Sequence, residues 1–527
     1  MRSTLLFAAL VVGIAAPASA QVDENAVFGG AAADAGAPAV AAAPDAGAIE
    51  SPRESSQEDA LFGGEAPLPR LTGKGVGDGG VPGQAPPPSP APPGEPSQQA
   101  EDALFGGQGA SSSQSFGEEV APMNPLTLGG TLYLRSQLTG FQDHPPKDWG
   151  WAMPNLLDVY LDARPNSRVR ALAVGRLTYD PTIDPSAATL TGAPLSQINT
   201  YLDQLWINFD IARTVFITAG KQHVKWGTGH FWNPTDYLQP VRLNPLDILD
   251  QRTGVTMVKA HIPWEARGWN FYAFAVFQNA NGVVKTLGDI GGAARAELVF
   301  GNAELGLDAV VQHGRKPHFG VDLSSGLGPF DVFAEAAFHG ADAPRIRLNL
   351  PPEGQTAGSI EELIEREPIT GVQPQVTAGG SWQVNLNDRD ALTLGLEGLY
   401  NSVGYDDPHV YPALIFTGNY TPFYVGKWYG GLYATASLPR GQTNHAITFT
   451  TLANISDASL ISRLDYNVTL LRHLGLEVYG DVHYGTEGGE FRFGFNPASV
   501  PVGTGEIAPV VLAAPLFDLG IALRVSM

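Results

Sequence analysis

The feature that most constrains the fold is a period-two alternation of apolar and polar side chains that fills most of the chain. It is clearest near the C-terminal end, where Leu464, Tyr466 and Val468 alternate with Asp465 and Asn467. Side chains that alternate in this way lie on opposite faces of a β-strand. In a soluble sandwich the apolar face forms the core, whereas in a membrane barrel it meets lipid and the polar face meets a wet lumen. The alternation therefore predicts an all-β fold and leaves both classes open.

The lengths of the connections favour a barrel over a sandwich. Short links such as Pro165-Asn166, Ala212-Arg213 and Gly301-Asn302 alternate with long ones such as 227–253 and 339–371. Membrane barrels have this rhythm, with short periplasmic turns and long outer loops, and an even strand number places both termini in the periplasm. The candidate strands are 126–138, 154–164, 167–180, 198–211, 214–224, 254–262, 269–278, 291–300, 303–312, 318–324, 330–338, 372–386, 391–401, 427–437, 444–454, 459–471, 474–484 and 515–527.

We therefore predict a transmembrane antiparallel β-barrel of about 16–18 strands over residues 124–527. Two further stretches, 412–424 and 491–495, look extended and would change the strand count if they formed strands. A barrel of this size is wide enough to leave an aqueous channel. The width of the predicted barrel turns a prediction of fold into a hypothesis about transport.

The first twenty residues have the pattern of a secretory signal peptide. Arg2 supplies a positive charge, 5–16 is a short apolar run, and Ala18-Ser-Ala20 is a small-residue cleavage site. We expect export and cleavage after Ala20. The chain contains no Cys, so neither a lipoprotein anchor nor a disulfide framework is available to it.

Residues 21–123 are rich in Ala, Gly, Pro and Ser and predict a disordered tether, because such a segment buries too little apolar surface to offset its ordering entropy. A phrase of the form Glu-[Asn/Asp]-Ala-[Val/Leu]-Phe-Gly-Gly occurs in it three times, with its aromatic residue at Phe28, Phe62 and Phe105. Short apolar units of this kind dock into grooves or add to sheet edges, and three copies raise the local concentration. The alternative is duplication of a neutral linker.

Charge and motif content argue against several other classes of function. The formal net charge of -22 argues against nucleic acid. Asp481 and His483 share one strand face, and His223 and His230 lie near the long connection 227–253, but no nucleophile stands at a defined spacing from any of them. No His-Glu-x-x-His motif is present either. We therefore expect no enzymatic activity, no catalytic residues, no metal site and no cofactor, and interpret these histidines as structural.

The last nine residues alternate strictly, with Leu519, Ile521, Leu523, Val525 and Met527 on one face. An alternating strand at the extreme C-terminus resembles the signal by which bacterial outer-membrane barrels are recognised by the insertion machinery. The family pattern usually ends in Phe or Trp, where this chain has Met. The resemblance implies that the barrel-insertion machinery is a partner and that this strand closes the barrel.

The third outer connection is the most distinctive stretch of the chain. A strand ending in Gly-Lys-Gln is followed by Trp226-Gly227 and then by Asn233-Pro-Thr-Asp236. This pattern resembles a segment shared by porin-like bacterial outer-membrane proteins, without pointing to a particular member. In general porins the third loop folds into the lumen and narrows it, so the resemblance implies a constriction built from Lys221, Lys225, Trp226, Trp232, Asp236, Arg242, Asp247, Asp250 and Arg252. The alternative is a loop that only caps the barrel or holds its rim.

Taken together, these patterns favour a porin-like channel for diffusion or uptake of small solutes, in the outer membrane of a Gram-negative bacterium. Its surroundings would be outer-membrane lipid, with the tether in the periplasm. The alternative is a barrel that serves as an anchor, whose tether recruits a periplasmic protein of the cell-envelope machinery through Phe28, Phe62 and Phe105 while transport is incidental.

Overall fold

The computed structural model describes residues 125–186, 194–239, 241–247, 249–277, 284, 286–349, 360–387, 390–440, 443–495 and 512–527. Apart from 247–250, these residues belong to one compact unit. The predicted signal peptide 1–20 and tether 21–123, with Phe28, Phe62 and Phe105, lie outside the described residues and stay predictions.

The described residues are almost entirely strand and connecting loop. No helix among them is both long and apolar enough to cross a bilayer. The strands are β1 Leu126–Phe141, β2 Gly150–Ala152, β3 Asn155–Asn166, β4 Val169–Tyr179, β5 Ile198–Ile211, β6 Val215–Gln222, β7 Val255–Trp264, β8 Trp269–Val276, β9 Gly291–Phe300, β10 Ala303–Val311, β11 His318–Leu327, β12 Phe330–Gly340, β13 Arg345–Leu348, β14 Ile364–Glu367, β15 Val372–Asn385, β16 Ala391–Asn401, β17 Trp428–Arg440, β18 Thr443–Asn454, β19 Ser459–Leu471, β20 Leu474–Gly485 and β21 Pro515–Ser526. The α-helices are α1 Ile360–Leu363 and α2 Tyr411–Phe416, and the 3-10 helices are Pro146–Asp148, Glu265–Arg267, Leu287–Asp289, Pro408–Val410 and Glu490–Arg492.

The wall is a closed antiparallel barrel. Each wall strand pairs with its neighbours along the chain, and β21 returns to pair with β1, from Thr131 opposite Ser526 to Gly140 opposite Phe517. The sheet holds nineteen strands among the described residues, but β2 and β3 occupy successive parts of one position beside β1, so the ring has 18 positions. The predicted fold class is therefore confirmed.

All eighteen candidate strands occur, and the two further stretches that looked extended do not join the wall. Within 412–424 the chain forms α2 instead, and within 491–495 it forms part of a 3-10 helix followed by an isolated bridge between Phe495 and Leu512. The small hairpin of β13 and β14 lies inside the long connection between β12 and β15.

The outer surface of the barrel is apolar, as lipid contact requires. Outward side chains such as Leu128 and Leu396 are each 68 % exposed. Aromatic pairs mark both ends of the strands: Tyr400 and Trp428 lie beside the long loops, with ring centroids 4.5 Å apart, and Trp264 and Trp269 flank a short turn at 5.6 Å. Two aromatic girdles around an apolar band are typical of a barrel embedded in a membrane.

The long loops pack against one another at one end of the barrel. Their apolar cluster includes α2, the β13 and β14 hairpin and the segment that follows β20, and its buried members are Phe141, Ile346, Ile364, Val410, Tyr411, Ala413, Leu414, Val425, Phe493 and Leu512. We call this set the mouth cluster. It gives the outer loops a small hydrophobic core of their own.

Candidate functional site

The loop 223–254, which joins β6 to β7, crosses the interior of the barrel. Its residues Phe231 and Trp232 pack with Leu399, Tyr429 and Tyr433 on the inner faces of β16 and β17, and with further residues of β18 and β19. Seven wall strands lie between β7 and β17 in one direction, and eight lie between β6 and β17 in the other. A segment that leaves the wall at β6 and packs on β17 must therefore pass through the lumen. We call it the crossing loop.

The tip of the crossing loop is held by one carboxylate of the far wall. Glu397 of β16 is only 1 % exposed, and its Oε2 accepts hydrogen bonds from the backbone N–H groups of His230 at 2.9 Å and Phe231 at 2.8 Å. Its Oε1 accepts from the N–H of Trp232 at 2.9 Å and from the Thr377 hydroxyl at 2.9 Å. None of these hydrogen bonds comes from an arginine or a lysine. The backbone dipoles of the loop therefore stabilise the carboxylate in place of a positive charge.

A second carboxylate holds the stretch on either side of the tip. Glu335 of β12 is 1 % exposed, and its Oε1 accepts from the N–H groups of Thr228 and Gly229, both at 2.6 Å. Its Oε2 accepts from the Thr235 hydroxyl at 2.9 Å. Together, Glu335 and Glu397 bind nearly every backbone N–H from Thr228 to Trp232.

The glycines of the crossing loop are required by this close approach. Gly227 has φ +94°, which L-residues rarely adopt, and a Cβ there would lie 2.4 Å from Oε1 of Glu335. At Gly229 a Cβ would lie 2.0 Å from the carbonyl oxygen of Trp232. The Trp-Gly-x-Gly pattern that makes this stretch distinctive in sequence is therefore the pattern that lets a backbone wrap around two carboxylates.

The two ends of the crossing loop are joined at its neck. Asp203 of β5 accepts from His223 Nε2 at 2.9 Å through its side chain, and its carbonyl accepts from the N–H of Gly254 at 3.1 Å. Inside the loop, Asp236 forms an ion pair of 2.9 Å with Arg252 and accepts from the N–H of Trp226 at 3.3 Å. These contacts fix the start and the return of the loop independently of its tip.

The near half of the crossing loop packs on the wall from β7 to β12. Trp226 contacts the Phe274 ring at 5.5 Å and lies under the guanidinium of Arg295, at 5.9 Å. Tyr237 and Leu238 belong to the same buried cluster. The aromatic residues therefore act as anchors on both walls, and the loop is docked along its length.

The structure separates the nine predicted constriction residues. Trp226, Trp232, Asp236 and Arg252 are buried in the crossing loop. Lys221 lies on the outer face of the wall instead, because it pairs with Leu205, which is outward and 52 % exposed.

The remaining four predicted residues belong to the crossing loop and are partly exposed. Arg242 donates to the carbonyl of Asn233 at 2.9 Å and lies 5.0 Å above the Tyr424 ring. Lys225 is close enough to His230 to affect its pKa. For Asp247 and Asp250, a role in the constriction stays a prediction.

Burial shifts the pKa of two residues of the long connections. His230 stacks on Tyr433 at 4.1 Å, and burial, aided by the charge of Lys225, lowers the pKa of His230 to about 3. This imidazole is therefore neutral at physiological pH. Burial also raises the pKa of Tyr424 to about 12, so its hydroxyl stays protonated and accepts the N–H of Asn233 at 3.1 Å.

Charges on the inner faces of the strands are mostly paired. Arg176 binds Asp158 at 2.6 Å, and Arg170 binds Asp162 at 2.9 Å. Two larger groups are centred on arginines: Arg295 with Glu297, Asp308 and Asp322, and Arg463 with Asp465, Glu477 and Asp481. In each of these two groups one arginine faces three acidic residues, so the arginines are fully paired while acidic residues stay in excess.

His483, which shares a strand face with Asp481, binds a different acid, Asp518. His483 donates or accepts at Asp518, 2.9 Å from its Nε2, while its Nδ1 lies 2.6 Å from the carbonyl oxygen of Phe491. Asp518 is also bound by Gln137 and Thr139. Both ring nitrogens are occupied by structural contacts that tie β20 to β21 and to the outer loop.

Sequence reasoning missed the two most informative residues of the site. Strand alternation predicts only that Glu335 and Glu397 face the polar side of their strands, as many other charged residues do. Each stands on a strand more than a hundred residues from the loop it binds. The only signal for them in the sequence was the glycine-rich loop, which predicts that something approaches its backbone closely.

Comparisons with known proteins give a fold likeness only. No family model matches the chain, and no curated protein matches it. Among solved structures, the chain is similar to OccAB1 of Acinetobacter baumannii, with 9 % identity and a TM-score of 0.48 over 78 % of this chain and 99 % of that one. It is also similar to OpdK of Pseudomonas aeruginosa determined with vanillate, with 11 % identity, a TM-score of 0.40 and coverage of 76 % and 98 %.

A porin of Rhodopseudomonas blastica, in a triple-mutant form, is 11 % identical with a TM-score of 0.36, over 76 % of this chain and all of that one (100 %). All three TM-scores are below 0.5, so the description of the barrel given above rests on its own strand pairing.

Proposed function

We propose that this protein is an outer-membrane channel for small solutes, in which the crossing loop forms the constriction. The observation that carries this proposal is the path of the crossing loop, which passes through the lumen of an 18-position barrel and docks on the far wall. A barrel of this size without an internal loop is wide enough for an aqueous channel. The crossing loop narrows this lumen and so limits passage to small molecules.

The lumen supports passage of polar solutes. Its wall carries ion pairs such as Arg176 with Asp158 and Arg463 with Asp465, whereas the outer surface is apolar. Polar walls of this kind line water-filled barrels. Among the constriction candidates, Lys225 and Arg242 are two of the charged groups that are partly exposed and that a passing solute could contact.

Planar-bilayer recording of the purified barrel tests the channel. We expect stable single-channel currents from the wild type, and larger currents when 227–250 is replaced by a short Gly-Ser linker. Heat-dependent mobility on gels confirms that each barrel is folded. Absence of conductance in both proteins would refute the channel proposal.

A second candidate function is anchorage, and the observation that favours it is the threefold repeat around Phe28, Phe62 and Phe105. In that case the tether lies in the periplasm and recruits a protein of the envelope machinery. In-cell cross-linking of the full chain tests it: replacement of all three Phe by Ala should abolish the cross-linked partner while insertion stays normal. Unchanged cross-linking would rule out the repeats as the binding unit.

A further inference from the structure

The crossing loop has an anchoring system that differs from every other lumenal contact described above. Its tip is held by carboxylates of the wall and by backbone N–H groups of the loop, with no cationic side chain between them. Such bonds combine the strength of a charged acceptor with the fixed geometry of a backbone. They restrict the position of the backbone itself, which a flexible ion pair does not.

We propose that Glu335 and Glu397 are positioning residues that set the width of the pore by holding the crossing loop at two places on the lumenal wall, on β12 and on β16. This inference rests on the proposed channel function, because only a conducting barrel needs a constriction of fixed width. The two residues divide the task. Glu397 holds the tip from His230 to Trp232, and Glu335 holds Thr228 and Gly229 before the tip and Thr235 after it.

The chemistry of the site requires acceptor oxygens on both side chains. Both oxygens of Glu397 accept hydrogen bonds, and both oxygens of Glu335 do so too. A glutamine has the same shape, but at position 397 its NH2 group would face backbone N–H groups in either orientation. At position 335 an NH2 group in place of Oε1 would face the N–H groups of Thr228 and Gly229, whereas in place of Oε2 it would face Thr235, whose hydroxyl can accept as well as donate. Substitution by glutamine therefore removes acceptors without creating a cavity. Aspartate keeps the charge but is one methylene shorter, so it does not restore the contact.

The location of the two glutamates explains why they act on the pore rather than on the barrel. Both are in strands whose ladders are complete without them: Glu335 pairs with Asp322 and Thr377 through the backbone, and Glu397 with Gly379 and Gly431. Loss of their side-chain charge leaves these ladders in place. The expected effect is a displaced loop in an intact wall.

The test uses the full chain and the double variant Glu335→Gln/Glu397→Gln, with Glu304→Gln as a matched control. Glu304 is an exposed acid on β10, and its substitution removes one carboxylate of the wall, where the double variant removes two. The first measurement is single-channel conductance. We expect a rise in conductance and in current noise for the double variant and no change for the control, with unaltered heat-dependent gel mobility in all proteins.

The second measurement reports the loop without requiring conduction. Because the chain has no cysteine, Asn233→Cys introduces a single thiol in the loop, and Oδ1 of Asn233 has no hydrogen-bond partner among the described residues. We expect the thiol to react slowly with a hydrophilic maleimide in the wild-type background. In the double variant the reaction should be about tenfold faster or more, since several hydrogen bonds to charged acceptors are lost.

The outcomes are distinguishable. Faster thiol labelling with larger conductance supports both the channel and the positioning role. Faster labelling in a barrel that never conducts supports the role of the two glutamates in positioning the loop and refutes the channel. In that case the two glutamates hold the loop in place but do not set the width of a pore. Equal labelling rates in the wild-type, control and double-variant backgrounds would overturn the positioning role.

Discussion

Two parts of the lumenal wall bury carboxylates in different ways. On β3 and β4, Asp158 and Asp162 are neutralised by Arg176 and Arg170, which stand on the adjacent strand. On β12 and β16, Glu335 and Glu397 are bound by the backbone of a loop that leaves the wall between β6 and β7. The first arrangement joins neighbours and stabilises the wall. The second arrangement joins distant parts of the chain and holds the crossing loop inside the lumen.

The largest expected effect comes from breaking the arginine arrangement. Arg176→Met removes the partner of Asp158 and leaves that carboxylate in a partly buried site, together with Asp203 at 3.7 Å from the lost guanidinium. We expect the barrel to lose about 3–5 kcal/mol of unfolding free energy, measured by urea unfolding in detergent.

The double variant Arg176→Met/Asp158→Leu should recover part of that loss, because it removes the unpaired charge as well. A loss below about 1 kcal/mol in the single variant would show that the wall does not depend on these pairs.

The next effect should be confined to the crossing loop. Trp232 is 0 % exposed and donates from Nε1 to the carbonyl of Phe423 at 3.0 Å. Trp232→Ala should weaken docking of the loop by about 3–5 kcal/mol, because a large buried side chain is lost. The measurement is labelling of the Asn233→Cys thiol.

The urea midpoint of the Trp232→Ala barrel should stay close to that of the wild type. Trp151→Ala is the matched control, since Trp151 is 55 % exposed on the outer face. A fall in the urea midpoint as large as that of Arg176→Met would mean that the loop and the wall unfold as one unit.

A pH effect is expected at the mouth cluster. Burial raises the pKa of Glu490 from 4.5 to about 7, although Tyr429, Asn454 and the N–H of Phe423 donate to it. Between these two values the folded state keeps a proton that the unfolded state releases. The stability of this region should therefore fall as pH rises from about 4.5 to about 7, and then level off.

Glu490→Gln cannot titrate and should flatten this dependence. Hydrogen exchange of α2 amides at several pH values, corrected for intrinsic exchange rates, measures it. An equally steep dependence in the variant would assign the effect to another group, with Asp457 the nearest acid.

The smallest effect is expected at an exposed ion pair. Arg168 binds Asp210 at 2.8 Å beside a short turn, and its side chain is 52 % exposed. Arg168→Met should change the urea midpoint far less than Arg176→Met does, because water and salt screen the exposed guanidinium of Arg168, although the Asp210 side chain is only 7 % exposed. Equal losses in the two variants would remove burial as the explanation for the importance of Arg176.

The strands could be predicted from the sequence because their signal is local. In 459–471 the polarity of each side chain indicates the face of the strand on which it lies. Residue pairs such as Gly301-Asn302 mark the short turns. The interpretation of 412–424 as extended was wrong, because α2 gains its stability from the mouth cluster, which no local pattern reveals. Lys221 was placed in the constriction by proximity in sequence, but strand alternation turns it outward.

By itself, the sequence determined the barrel, a strand number of about 16–18 and the position of the most distinctive loop, since alternation, link length and the pattern around Trp226 and Gly227 are all local features of the chain. Only the tertiary structure decided what the loop binds. Glu335 and Glu397 meet it because the closed ring brings strands from the far side of the lumen within hydrogen-bond distance of its backbone. Backbone N–H groups are the same in every residue, so their partners leave no signature in the sequence.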